Sequence, residues 1–209
     1  HAGTLDPMAS GLLPIAIGEA TKTIGVIQQF KKSYEFIIKW GDKTSTDDKM
    51  GVIISSTSTR PSLHNVEENI KKFVGKIVQI PPNFSAIKVN GKRAYALARN
   101  NEKFTLNART VFIETFKIKK YIDKDFCSFE CTCSKGTYIR ALGRDLGDAM
   151  NCFGHLYKLR RTKIGNFSNK CAILLDLSEK LIHSSAILKN ILPVEKVLES
   201  LPFINLTKK

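Results

Sequence analysis

The chain has 209 residues, 43% of them hydrophobic and 25% charged, which is enough to bury one sizeable core, as one large domain or two small ones. Lys and Arg number 33 against 19 Asp and Glu, a formal charge of +14. Such an excess favours polyanionic partners, because each phosphate contact releases condensed counterions. No apolar run approaches the roughly 20 residues a spanning helix needs, so nucleic acid stands ahead of a membrane as the expected partner.

The chain opens at His1 rather than Met, with no signal or transit segment in view, and its first residues already read as a motif, so a fragment lacking its natural N-terminus is expected. In His1-Ala2-Gly3-Thr4-Leu5-Asp6-Pro7-Met8-Ala9-Ser10-Gly11, the glycines permit backbone conformations closed to other residues. Pro7 fixes its own φ and pushes Asp6 out of the helical region. A carboxylate on such a loop can serve as nucleophile or general base, although an Asp-Pro pair by itself reads as a turn.

Ser33–Trp40 alternates, with Tyr34, Phe36, Ile38 and Trp40 on one face, and reads as a strand that Gly41-Asp42 ends. Ser55–Ser62 is a polar loop. Asn65 with Glu68 resembles a helix-capping pair, followed by an apolar stripe of Val66, Ile70, Phe73 and Val74 and a stop at Gly75. Val78–Pro82 reads as extended and Ala94–Arg99 as a short helix. Lys103–Lys120 and Tyr121–Cys133 read as strands joined by a turn near Asp123. Thr137 is placed to cap a helix from Tyr138 to about Met150, with Ile139, Leu142, Leu146 and Ala149 as its buried stripe and Arg140 and Arg144 off it. Leu192–Leu201 reads as a last short helix.

Strands clustered between helices, without strict βαβ alternation, indicate an α+β fold. Five cysteines without a C-x-x-C pair argue against disulfides or zinc and for a reducing compartment. Cys127, Phe129, Cys131 and Cys133 share one strand parity, as small buried apolar side chains would.

The opening string, continued by Gly18-Glu19-Ala20-Thr21-Lys22, resembles the catalytic motif of TruB-type pseudouridine synthases. Lys32-Ser33-Tyr34-Glu35-Phe36 is similar to that family's tyrosine-bearing strand. Gln79-Ile80-Pro81-Pro82-Asn83-Phe84-Ser85-Ala86-Ile87-Lys88 is similar to its proline-rich segment, with Phe84 where Tyr is usual. Cys133–Arg140, Asp145-Leu146-Gly147, Leu159-Arg160-Arg161 and Gly165-Asn166-Phe167 resemble the second half of its catalytic core.

The resemblance implies the pseudouridine synthase fold, a mixed and largely antiparallel sheet flanked by helices with a catalytic cleft. It implies isomerisation of uridine 55 in the T-loop of tRNA, with base flipping and no cofactor or metal. Asp6 becomes the catalytic carboxylate and Arg140 its partner, since a paired arginine favours the charged form of a carboxylate in a partly dry pocket. Tyr34 would stack on the uracil, Tyr138 would line the same pocket, and Leu159 would close over the base. His1 would enter the space the flipped base vacates, and Asp48, with Asp47 adjacent, would lie near the RNA. Lys22 is a phosphate-contact candidate, as are Lys31-Lys32, Lys71-Lys72, Lys117, Lys119, Lys120, Lys158, Arg160, Arg161 and Lys163. On composition alone each of these has an ordinary packing or surface reading beside it.

Residues 1–190 are read as the catalytic domain, lacking its first strand, and 191–209 as a helical segment leading to an absent PUA-type domain. A cytoplasmic monomer acting on tRNA is expected. The competing readings are the same chemistry on another RNA and a tRNA-binding folding chaperone without essential chemistry.

Overall fold

A computed structural model describes residues 1–174 and 191–199. The strands are β1 (Ser10–Gly11), β2 (Lys32–Trp40), β3 (Asp42–Thr44), β4 (Ile53–Ser56), β5 (Gly75–Gln79), β6 (Lys88–Val89), β7 (Lys92–Arg93), β8 (Arg109–Tyr121), β9 (Phe126–Cys133), β10 (Gly154–Ile164) and β11 (Phe167–Ser168). The helices are α1 (Ile24–Gln29), α2 (Leu63–Ile70), α3 (Ala94–Arg99), α4 (Ile139–Ala149) and α5 (Glu195–Leu198). The main sheet runs β1-β10-β2-β9-β8-β5, with β11 also on β10. Its neighbours are antiparallel apart from the parallel pair β1–β10. This is the α+β class that the sequence pattern indicates, with the mixed, largely antiparallel sheet that the family resemblance implies.

The alternation in β2 has a direct physical outcome. Phe36, Ile38 and Trp40 are buried, and Phe36 lies opposite Phe129 with the rings 5.5 Å apart and stacked. Cys127, Cys131 and Cys133 are buried and unpaired on the same face of β9, so the apolar-filler reading of their parity holds. Val66 of α2 and Leu142 and Leu146 of α4 close over this face and complete the main core. A second cluster gathers Ala2, Leu12, Ile27, Ile164 and Val197, which seats the start of the chain and α5 against the end of β10.

Four local readings need correction. Helix α2 is capped by Ser62, whose hydroxyl accepts the Asn65 amide at 3.2 Å, not by Asn65 itself. Thr137 does not cap α4; its hydroxyl donates back to the Ser134 carbonyl at 3.0 Å. The buried stripe of α4 closes on Met150, while Ala149 is exposed. The expected last helix is shorter, Glu195–Leu198, and Leu201 lies outside the described residues.

Gly147 is where α4 passes closest to β10: a Cβ there would overlap the Phe153–Gly154 backbone. Gly147→Ala is therefore expected to destabilise the fold by about 1–3 kcal/mol, the usual cost of overpacking, read as a lowered melting temperature. An unchanged melting point would show that the helix can lift off the strand freely.

Candidate active site

The segment before β1 forms a closed excursion. The Ala2 amide donates to the Pro14 carbonyl at 3.0 Å, and the Leu12 amide to the Arg161 carbonyl at 2.8 Å. Between these ties the Ala9 amide reaches back to the Asp6 carbonyl at 2.8 Å, a turn that Pro7 favours through its fixed φ. Gly11 has φ +102°, and a Cβ on it would overlap the Arg161 carbonyl, so only glycine lets the loop lie this close to β10.

At the loop's crest the Asp6 carboxylate meets the guanidinium of Arg140, the second residue of α4. Arg140 Nε donates to Asp6 Oδ2 and Nη2 to Oδ1, each at 2.8 Å, a bidentate pair. Arg140 is only 5% exposed, and its remaining donors go to the carbonyls of Thr46 and Phe84, both at 3.1 Å. The Asp6 side chain keeps 28% exposure, so the carboxylate is held from behind and open in front.

Asp47 and Asp48 divide cleanly. Asp48 Oδ2 lies 3.8 Å from Arg140 Nε, and Oδ1 accepts from the Thr46 hydroxyl at 2.6 Å and the Met50 amide at 2.9 Å. Asp47, with φ +59°, turns the other way and pairs with Arg144 at 2.8 Å. Burial pushes the Asp47 carboxyl up, against the pull of Arg144.

These groups border a cavity of about 970 Å³ lined by Asp6, Tyr34, Asp48, Tyr138 and Arg140, among others. Tyr34 stands on β2 with its ring against the main core, and burial pushes its phenol up to about 12, so the hydroxyl stays protonated at neutral pH. Tyr138 is fixed through its backbone: the Gln79 side chain accepts from its amide at 2.8 Å and donates to its carbonyl at 3.1 Å. Its ring carries the Arg109 guanidinium 4.7 Å from the centroid. Gln79 is fully buried and had no assigned role on sequence grounds, although its segment was singled out.

Three expected site residues are not among the cavity's lining. His1 is exposed, Lys22 is exposed and paired with Glu19, and Leu159 is buried in the main core. Two expected phosphate contacts border the cavity but are turned inward. Lys32 is buried, its ammonium donating to the Gln28 and Phe30 carbonyls at 2.6 and 2.7 Å, and burial followed by the Arg161 charge lowers its pKa. Arg161 is buried at 2% exposure and bonds only to backbone carbonyls. Lys117, Lys120, Lys158, Arg160 and Lys163 remain on the surface, whereas Lys31 and Lys119 are exposed but paired with Glu114 and Glu35. Among the described residues no group of three His, Cys, Asp or Glu could hold a metal ion, and no helix is long and apolar enough to cross a membrane.

Residues 1–139 match the model of the TruB family pseudouridylate synthase N-terminal domain, and residues 140–199 that of the tRNA pseudouridylate synthase B C-terminal domain. The junction falls inside α4, and β10 from the second match sits between β1 and β2 from the first, so the two segments build one sheet. A curated tRNA pseudouridine synthase B from Caulobacter vibrioides is 45% identical over 207 residues, covering 99% of this chain and 67% of that protein. One from Ehrlichia ruminantium is 42% identical over 206 residues, covering 98% of this chain and 70% of its own. Among solved structures, a Cbf5-Nop10-Gar1 complex matches with TM-score 0.69 and 27% identity over 95% of this chain and 52% of the matched one. The chain thus spans about two thirds of those curated relatives and about half of the Cbf5 chain.

Proposed function

This chain belongs to the TruB family of pseudouridylate synthases, and on that premise we propose that it carries the catalytic part of a tRNA pseudouridine synthase acting on uridine 55 of the T-loop. The observation that carries the reading is the Asp6–Arg140 pair at the wall of a cavity that also presents Tyr34 and Tyr138. In this reaction the bond from C1′ to N1 of uracil breaks, the base turns while held in the site, and C1′ bonds to C5, whose hydrogen leaves as a proton while N1 takes one up. Asp6 acts at the sugar, either by attacking C1′ or by taking a sugar proton, and Arg140 fixes its carboxylate for the task. Tyr34 lies against one face of the base, and Tyr138 borders the same space.

A base in a folded loop is stacked, so it must be flipped out to reach Asp6. His1, at the exposed start of the loop, would fill the gap left in the RNA, and Lys22 would meet a phosphate. Residues 1–190 are the proposed catalytic unit; residues 175–190 and 200–209 lie outside the described residues, and the described part of the segment that follows is helical at Glu195–Leu198. The protein works as a cytoplasmic monomer in this account, without cofactor or metal. Identity to the curated tRNA enzymes, 45% in the Caulobacter vibrioides protein against 27% for the Cbf5 chain, favours tRNA over a guided RNA substrate.

The test is to incubate purified protein with an unmodified tRNA transcript and map the isomerised nucleotide by carbodiimide labelling and primer extension. A single stop at the T-loop uridine is expected; a stop elsewhere would reassign the substrate, and none would remove the activity. Binding to the same transcript should weaken at least about tenfold between about 50 and about 200 mM salt, because exposed cations such as Lys158, Arg160 and Lys163 displace counterions. A flat salt dependence would remove the basic surface from the account.

A further inference from the structure

We infer that Arg161, which by sequence looks like one more cation of a basic patch, is the positioning residue that sets the Asp6 loop against Tyr34. The inference rests on the reading of Asp6 as the working carboxylate. Arg161 borders the cavity but is only 2% exposed, and its donors are turned to the protein's own carbonyls. Its fork spans both legs of the excursion that carries Asp6. Nη2 and Nη1 donate to the Gly3 and Thr4 carbonyls at 2.9 and 3.3 Å, on the leg entering the crest. Nε donates to the Leu12 carbonyl at 2.9 Å, on the leg leaving it.

The same residue's backbone carbonyl accepts the Leu12 amide at 2.8 Å, and β1 pairs with β10 at Gly11 and Arg161. Across the sheet Arg161 lies directly opposite Tyr34, so the two side chains share one face of the paired strands. One residue therefore ties together three things the reaction needs in register: its side chain holds the approach to Asp6 and the exit from it, and its strand pairing sets the tyrosine of the cavity beside them.

Arg161 has no carboxylate partner among the described residues, and its hydrogen bonds go to these carbonyl dipoles. A buried cation without its hydrogen bonds is strongly disfavoured, so the loop cannot drift without exposing that cost. The planar guanidinium reaches three carbonyls at fixed angles; a lysine ammonium at the same place is a single point on a flexible stem and cannot span them. Arg140 thus holds the Asp6 carboxylate from the helix side, and Arg161 holds its backbone from the strand side.

The test compares wild type with Arg161→Lys and Arg161→Gln. Turnover on the tRNA transcript should fall roughly a hundredfold, as small misplacements of a reacting group do, while tRNA affinity stays within about threefold. Amide exchange in residues 3–12 should quicken roughly tenfold in Arg161→Lys, with the amides of β2 and α4 still protected. The exchange readout does not depend on catalysis. If wild type itself fails to isomerise any RNA, the reading of Asp6 is what fails, and exchange still decides the role of Arg161. Unchanged turnover with unchanged exchange overturns the proposal. So does a loss of tRNA affinity equal to the loss of turnover, which would make Arg161 an RNA contact. Loss of cooperative melting in both variants would make it a residue of the fold alone, and overturns the proposal too.

Discussion

Asp6→Asn should abolish isomerisation while leaving tRNA affinity within about tenfold, or roughly 1.4 kcal/mol. Asparagine keeps the shape of the side chain and an acceptor for Arg140 but cannot act as a nucleophile or base at the sugar. The surroundings tolerate the change. Arg140 retains the Thr46 and Phe84 carbonyls at 3.1 Å and Asp48 at 3.8 Å, so its charge is not stranded. The carboxylate it loses was 28% exposed, and the stability cost should stay below about 2 kcal/mol. Filter binding and thermal melting on the purified variant check both limits. This variant also separates the enzyme from a folding chaperone: tRNA binding and folding assistance survive the loss of Asp6, and isomerisation does not. Wild-type turnover in Asp6→Asn would remove Asp6 from the chemistry.

Arg140→Met should be the more damaging substitution for the fold and nearly as damaging for activity. It removes the partner of Asp6 and Asp48 together and leaves the Thr46 and Phe84 carbonyls without their donor. Asp48, 6% exposed, stays buried without its cation, whereas Asp6, 28% exposed, can turn to solvent, so the cost should be about 3 kcal/mol, the low end for breaking a buried ion pair from one side. Turnover should fall at least about a hundredfold, since the carboxylate loses the fork that orients it. The two residues share bonds, so their effects should not add: the double variant Asp6→Asn/Arg140→Met should melt above the sum of the single losses. Denaturant melts of the four proteins test this. Strict additivity, or an Arg140→Met variant as stable as wild type, would show that the pair is not the structural joint described here.

Much of the fold was legible because its strands follow simple rules. The alternation of Ser33–Trp40 and the shared parity of Cys127, Phe129, Cys131 and Cys133 read directly into β2 and β9, since a half-buried strand must alternate. What failed depended on partners far away in sequence. The start of α4 is held by the side chain of Gln79, 59 residues upstream, so no local pattern distinguished it from a Thr137 cap. Arg140 lies off the apolar stripe of its helix and looked solvent-facing, yet it is buried because Asp6 comes to it from 134 residues away. Charge counting was blind to the same effect in Lys32 and Arg161. Both belong to basic runs, and both spend their donors on backbone carbonyls inside the protein. The choice between Asp47 and Asp48 turned on one positive φ, which places neighbouring carboxylates on two different arginines.

The most direct measurement is tritium release from a tRNA transcript carrying uridine labelled at C5, with wild type and Asp6→Asn side by side. Rebonding through C5 expels that hydrogen, so release reports the chemistry itself and not binding. The account predicts release by wild type, confined to the T-loop uridine, and none by Asp6→Asn at equal tRNA occupancy. Release at the same rate from both proteins, or from neither despite tight binding, would contradict it.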